Sequence, residues 1–99
     1  STARLTIVPA IIEAGDSFKE VNASLFNAIP NSLPYVYSNE AKMINQLVFG
    51  KPDRGQRNDA TEQQLALLKA LQKADIKLIE QGIEHYKRYE KLKELKEYL

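Results

Sequence analysis

Residues 61–99 read TEQQLALLKALQKADIKLIEQGIEHYKRYEKLKELKEYL, and this stretch decides the fold class of the chain. It contains no proline and is rich in strong helix formers. Its first apolar residues recur at steps of three and four, which is the spacing of one face of an α-helix. These residues are Leu67, Leu68, Leu71, Ala74, Leu78 and Ile79.

Both ends of this first helix carry local signals. Thr61 and Gln64 fit a capping box, in which each side chain accepts a hydrogen bond from the backbone N–H of the other residue. Gly82 predicts the end, because glycine adopts the left-handed conformation without a Cβ clash. Leu78 and Ile83 then occupy the apolar positions of a Schellman motif. We predict two helices with a corner at Gly82; the alternative is one long helix that tolerates the glycine at a cost of roughly 1 kcal/mol.

Composition limits the class of protein. The chain has 99 residues, 43% of them hydrophobic, which is enough for one domain with a modest core. It has no cysteine, which excludes disulfides and Cys-ligated metal sites. No apolar run reaches the length of a membrane span, and the first residues do not resemble a signal peptide. A net charge of +1 argues against strong nonspecific binding of nucleic acid.

The amino-terminal third predicts an arm followed by helix. Residues 1–8 alternate apolar and polar side chains, as in a short edge strand or an extended arm. Pro9 suits the first turn of a helix, and Ser17 with Glu20 fits a second capping box. Residues 18–29 predict an amphipathic helix, and whether residues 9–29 form one helix or two stays open. The apolar face of this helix comprises Phe18, Val21, Leu25 and Ile29.

A second amphipathic helix is predicted in the middle of the chain. Pro30 and Pro34 bracket a turn, and Ser38 is a suitable N-cap for a helix with Glu40 in its first turn. Gly50 predicts the end of this helix, and residues 51–59 are polar enough to form an exposed loop. The predicted buried face is Ala41, Ile44, Leu47 and Val48.

These elements together predict an all-α fold. We expect one domain over residues 1–99, built as a small bundle of four to five helices with an extended amino-terminal arm. The chain begins at Ser1 without a methionine, from which we expect a fragment of a larger protein or a processed chain.

The last predicted helix suggests a contact surface. Between residues 84 and 97, five basic and four acidic residues surround a narrow apolar seam. A seam of this width suits a coiled-coil contact with a second helix better than a deep core position. We therefore predict self-association or partner binding through Tyr89, Leu92, Leu95 and Leu99, and we expect the core to lie upstream of them.

Several short motifs resemble a known family. They are YSNEA at 37–41, MIN at 43–45, VFG at 48–50, RN at 57–58 and LIEQGI at 78–83. In this order they resemble the segment that follows the DNA-binding domain of phage-type KilA-N and antirepressor proteins, over about residues 35–88. The chain departs from that pattern at KPDRGQ (51–56), where the family has a longer and more hydrophobic link, and its first 29 residues match nothing in it. The resemblance implies an accessory domain of a phage or prophage regulator.

Candidate catalytic and metal-binding residues are few. His85 is the one histidine, and no serine lies in a local pattern typical of a nucleophile. Glu80, Glu84 and His85 lack the spacing of a known metal site. We predict that the chain is not an enzyme and binds no cofactor, metal or small-molecule substrate.

Three functions follow from the sequence as predictions. The first is a protein-interaction or oligomerisation domain of an antirepressor-like regulator in the cytoplasm of a bacterial host, which would contact nucleic acid through a domain absent from this chain. The second is a DNA-binding accessory module that uses the basic loop of Lys51, Arg54 and Arg57. The third is a stand-alone inhibitor of a bacterial host protein. Five tyrosines favour a binding surface, since tyrosine combines apolar area with a polar tip.

Overall fold

The structure, a computed structural model, describes residues 18–52 and 60–99. Within these residues it contains four helices and no strand, which confirms the all-α prediction. The predicted arm, the helix at Pro9 and the cap at Ser17 lie outside the described residues. The helices are α1 (Lys19–Ala28), α2 (Tyr35–Phe49), α3 (Glu62–Glu80) and α4 (His85–Lys96).

Local signals place the ends of α3 as the sequence predicts. The Thr61 side chain accepts from the Gln64 N–H at 3.0 Å, and the Gln64 side chain accepts from the Thr61 N–H at 2.9 Å. At the other end Gly82 has a φ of 76°, and the Ile83 N–H donates to the Leu78 carbonyl at 3.1 Å. This is the long-range bond of a Schellman motif. The corner at Gly82 is confirmed, and a single helix through the glycine is wrong.

The start of α2 differs from the prediction. Ser38 is not the N-cap: the helix begins at Tyr35 with Pro34 in the cap position, and the Ser38 hydroxyl donates to the Tyr35 carbonyl at 3.1 Å. Pro34 has a φ of −56°, so its ring already holds the chain in a helical conformation four residues before Ser38. Glu40 consequently lies beyond the first turn. The predicted end is confirmed, since Gly50 takes a φ of 78°.

Helix α3 is the centre of the bundle, because it packs against each of the other three helices. Helix α4 packs against both α2 and α3. The predicted apolar faces supply the core, although Ile29 is 42% exposed. The buried hydrophobic residues are Phe18, Val21, Leu25, Tyr37, Ala41, Met43, Ile44, Leu47, Val48, Leu68, Leu71, Ile79 and Leu92.

The seam on α4 belongs partly to this core. Leu92 is completely buried, and Tyr89 and Leu95 are half-buried against the core. Leu99 alone among the four predicted contact residues is exposed, at 65%. The expectation that the core lies upstream of α4 is therefore wrong. The narrow seam suffices for internal packing because α2 and α3 supply the apolar area on its two sides.

Candidate functional site

A buried ion pair joins α2 to α4. The Arg88 guanidinium donates two parallel hydrogen bonds to the Glu40 carboxylate, from Nε to Oε2 at 2.8 Å and from Nη2 to Oε1 at 2.6 Å. Its remaining terminal nitrogen donates to the carbonyl of Ile83, just beyond the Gly82 corner. Glu40 is completely buried and Arg88 is 7% exposed. This two-point geometry is the strongest form of an arginine–carboxylate contact, and it fixes the corner relative to α2.

A second carboxyl group lies beside this pair. Asp75 of α3 is completely buried, and its Oδ1 lies 3.5 Å from the Arg88 Nε, too far for a good hydrogen bond. Neither Asp75 oxygen accepts a hydrogen bond from the described residues, so a protonated Asp75 can only donate, and the Glu40 carboxylate is its acceptor. One guanidinium therefore faces two buried carboxyl groups. Of these two groups, only Glu40 accepts hydrogen bonds from Arg88.

The two carboxyl groups have opposite pKa shifts. Burial favours the neutral form of Glu40, but the hydrogen bonds and charge of Arg88 outweigh burial and lower its pKa. Burial and the neighbouring Glu40 carboxylate together raise the pKa of Asp75 to about 9. At neutral pH the cluster thus contains one cation, one anion and one neutral acid, so its charges balance.

His85 extends the cluster to the surface. Its Nδ1 lies 2.9 Å from the Glu40 Oε1, and its side chain is 48% exposed. Because a carboxylate only accepts hydrogen bonds, Nδ1 carries the proton in this contact. A neutral His85 then has Nε2 as an acceptor. Within residues 18–52 and 60–99, no group of three or more histidine or acidic side chains could hold a metal ion.

Asp75 makes the stability of the fold depend on pH. Its pKa is higher in the folded chain than the value of about 3.9 in an unfolded one, so its contribution is complete below about pH 4 and is lost as the pH rises towards 9. Asparagine cannot ionise. We expect Asp75→Asn to gain stability over the parent as the pH rises from 5 to 8, by on the order of 4 kcal/mol, measured by urea unfolding at each pH.

The exposed Glu94 of α4 provides the control for this prediction. Glu94→Gln also removes one carboxylate, but we expect its stability difference from the parent to stay constant between pH 5 and 8. A constant difference for Asp75→Asn as well would show that Asp75 is already ionised in the folded chain.

An apolar groove of about 520 Å³ opens next to the cluster. Its walls come from the end of α1, the start of α2 and the corner between α3 and α4, while His85 and Arg88 form part of its lining. Tyr35 in this lining is 59% exposed, and Leu33, two residues before it in the chain, is 62% exposed. The apolar residues that line the groove include Leu25, Ile29, Tyr35, Val36, Ile79 and Ile83.

The other predicted site residues are not brought together. Lys51 is exposed at the end of α2, whereas Arg54 and Arg57 of the predicted basic loop lie outside the described residues. Among the five tyrosines, Tyr37 belongs to the core and Tyr35 belongs to the groove. In the described part of the chain, no helix is both long and apolar enough to cross a membrane.

Sequence reasoning missed the ion-pair cluster, although a signal was present. Glu40 is flanked on its helical face by Tyr37 and Ile44, and Asp75 by Leu71 and Ile79. A charged residue inside an apolar stripe is buried only if it finds a partner. Two acids in such positions predict a buried pairing with a base, but not which base it is or which helices meet. Comparison of the chain with family models, with curated proteins and with solved structures finds no match.

Proposed function

We propose that this chain is a self-association domain and that two copies meet through the apolar groove. The observation that carries the proposal is the groove lined by Tyr35, a residue that is 59% exposed and is preceded two positions earlier in the chain by Leu33, 62% exposed. A concave apolar surface and projecting apolar side chains lie next to each other on one chain. Exposed apolar area grouped in this way is typical of an interaction site.

A second copy is the occupant that this arrangement favours. In a two-fold symmetric contact the same patch faces itself, so projecting side chains of each copy enter the groove of the other. Tyr35 suits this role because it lines the groove while more than half of its surface stays exposed, and the exposed Leu33 lies two residues before it in the chain. A net charge of +1 adds little repulsion between the two copies.

The resemblance described above gives the domain its proposed context. Asn39 of the YSNEA motif and Ile79, Gly82 and Ile83 of the LIEQGI motif come from distant parts of the sequence and line the same groove. We therefore propose that the domain joins copies of a phage-type, antirepressor-like regulator in the cytoplasm of a bacterial host. The basic-loop and inhibitor alternatives stay predictions, since no contact among the described residues bears on them.

Analytical ultracentrifugation tests the proposal. We expect the parent chain to dimerise as its concentration rises through the micromolar range, and Leu33→Asp with Tyr35→Asp to stay monomeric. Both residues are exposed, and aspartate is tolerated at the start of a helix, so circular dichroism should show an intact fold. The matched control is Tyr98→Asp with Leu99→Asp, which alters two exposed apolar residues far along the chain.

The control also separates the two candidate contact surfaces. If it dissociates the dimer while the groove variant does not, the end of α4 mediates self-association, as the sequence alone predicts. A parent that stays monomeric at several hundred micromolar would contradict self-association through either surface.

A further inference from the structure

Three lysines follow one another along the exposed surface of α3. Lys69, Lys73 and Lys77 are four residues apart, so successive residues rise about 6 Å along the helix axis. All three are exposed, and none forms an ion pair with a carboxylate within the described residues. The three ammonium groups therefore form a row of positive charge that the described part of the chain leaves unneutralised.

The row borders a groove between α3 and the start of α1, about 510 Å³ in volume. Lys69 and Lys73 line one wall, and Lys19 lines the other. Among the described residues of the lining, Glu20 is the one acidic residue. Lys69 and Lys73 therefore place part of the positive row at a concave surface.

The distribution of charge on α3 differs from that on α4. On α4 basic and acidic residues alternate, which is the pattern of an ordinary solvated helix surface. The acidic residues of α3 lie away from the lysine row: Glu62 and Glu80 are at the two ends of the helix, and Asp75 is in the core. Like charges one turn apart destabilise a helix, so an anionic ligand on this surface would relieve repulsion between the lysines.

We propose that this lysine row, Lys69, Lys73 and Lys77, binds the phosphate backbone of double-stranded nucleic acid without reading its sequence. Lysine is a point charge that suits phosphate oxygens, whereas base reading uses the planar fork of arginine or an amide. Among the described residues, no aromatic side chain lines the groove, so they provide no platform of the kind on which proteins stack single-stranded bases.

The overall charge of the chain limits the affinity. With three phosphate contacts, the dissociation constant falls in the nonspecific range of roughly 10⁻⁴ to 10⁻⁶ M. The same contacts set the salt dependence. A fourfold rise in salt concentration weakens the binding roughly 40-fold, because each contact releases a condensed counterion.

Fluorescence anisotropy of a labelled DNA duplex of about 20 base pairs, titrated with the full 99-residue chain, tests the inference. We expect binding at about 50 mM KCl that weakens roughly 40-fold at about 200 mM. Lys69→Gln, Lys73→Gln and Lys77→Gln together should weaken binding at least tenfold. The control is Lys87→Gln, Lys91→Gln and Lys93→Gln, which removes the same charge from exposed positions of α4 and should retain most of the affinity.

Three results would overturn the inference. The first is no binding at about 100 μM protein in low salt, and the second is an equal loss of affinity in both triple variants. The third is tighter binding of the corresponding single strand, because the duplex assignment rests on the lack of a stacking platform. The lysine row is separate from the apolar groove at the other end of α1, so its triple variant should keep the oligomeric state of the parent.

Discussion

Arg88→Met should lower the free energy of unfolding by about 3–5 kcal/mol at neutral pH, because it leaves the buried Glu40 carboxylate without its cation. Methionine retains much of the apolar stem of arginine, so the loss reports the charge and hydrogen bonds rather than a large cavity. The substitution also frees the Ile83 carbonyl at the corner. Urea unfolding of parent and variant measures the difference.

The Arg88→Met variant should also differ from the parent in how its free energy of unfolding depends on pH. Without Arg88, burial raises the folded-state pKa of Glu40 above its unfolded value, so the variant loses stability as the pH rises. The deficit relative to the parent should therefore shrink between pH 7 and pH 4. Lys87→Met is the control, since it removes a cation from an exposed position on the same helix and should change stability by less than about 0.5 kcal/mol. An equal, small effect of both variants would show that the pair contributes nothing to folding.

Leu92→Ala should destabilise the chain by about 2–5 kcal/mol, the range for truncating a fully buried leucine. The cost combines the lost burial of apolar atoms with a cavity between α4 and its neighbours. Thermal unfolding followed by circular dichroism measures it. The control is Leu99→Ala, which shortens a 65% exposed leucine of the same predicted seam and should have little effect.

This pair of variants decides between two interpretations of α4. If Leu92 served only a contact between copies, its replacement by alanine or aspartate would dissociate an oligomer and leave most of the helix intact. Because Leu92 is buried within the chain, we expect loss of the folded domain instead. A folded, fully helical Leu92→Asp variant would contradict the packing described here.

Local features of this chain were predictable because they depend on a few neighbouring residues. The Thr61–Gln64 capping box spans one turn, and the Gly82 corner needs only a residue that tolerates a positive φ. The helical periodicity of 61–80 likewise follows from the spacing of its apolar residues. The all-α class and the buried faces of α1, α2 and α3 were therefore contained in the sequence.

Tertiary structure alone decided which of these faces meet, which charged groups form pairs, and which side chains are buried. Glu40 and Arg88 are 48 residues apart, and no local pattern states that their helices pack together. The same packing buries Asp75 beside Glu40 and raises its pKa, and it places Leu92 in the core rather than at a surface. The groove also exists only where α1, α2 and the corner converge. Hydrogen bonds and turns within a few residues are fixed by local geometry, whereas burial, charge pairing and concave surfaces depend on segments that only the folded chain brings together.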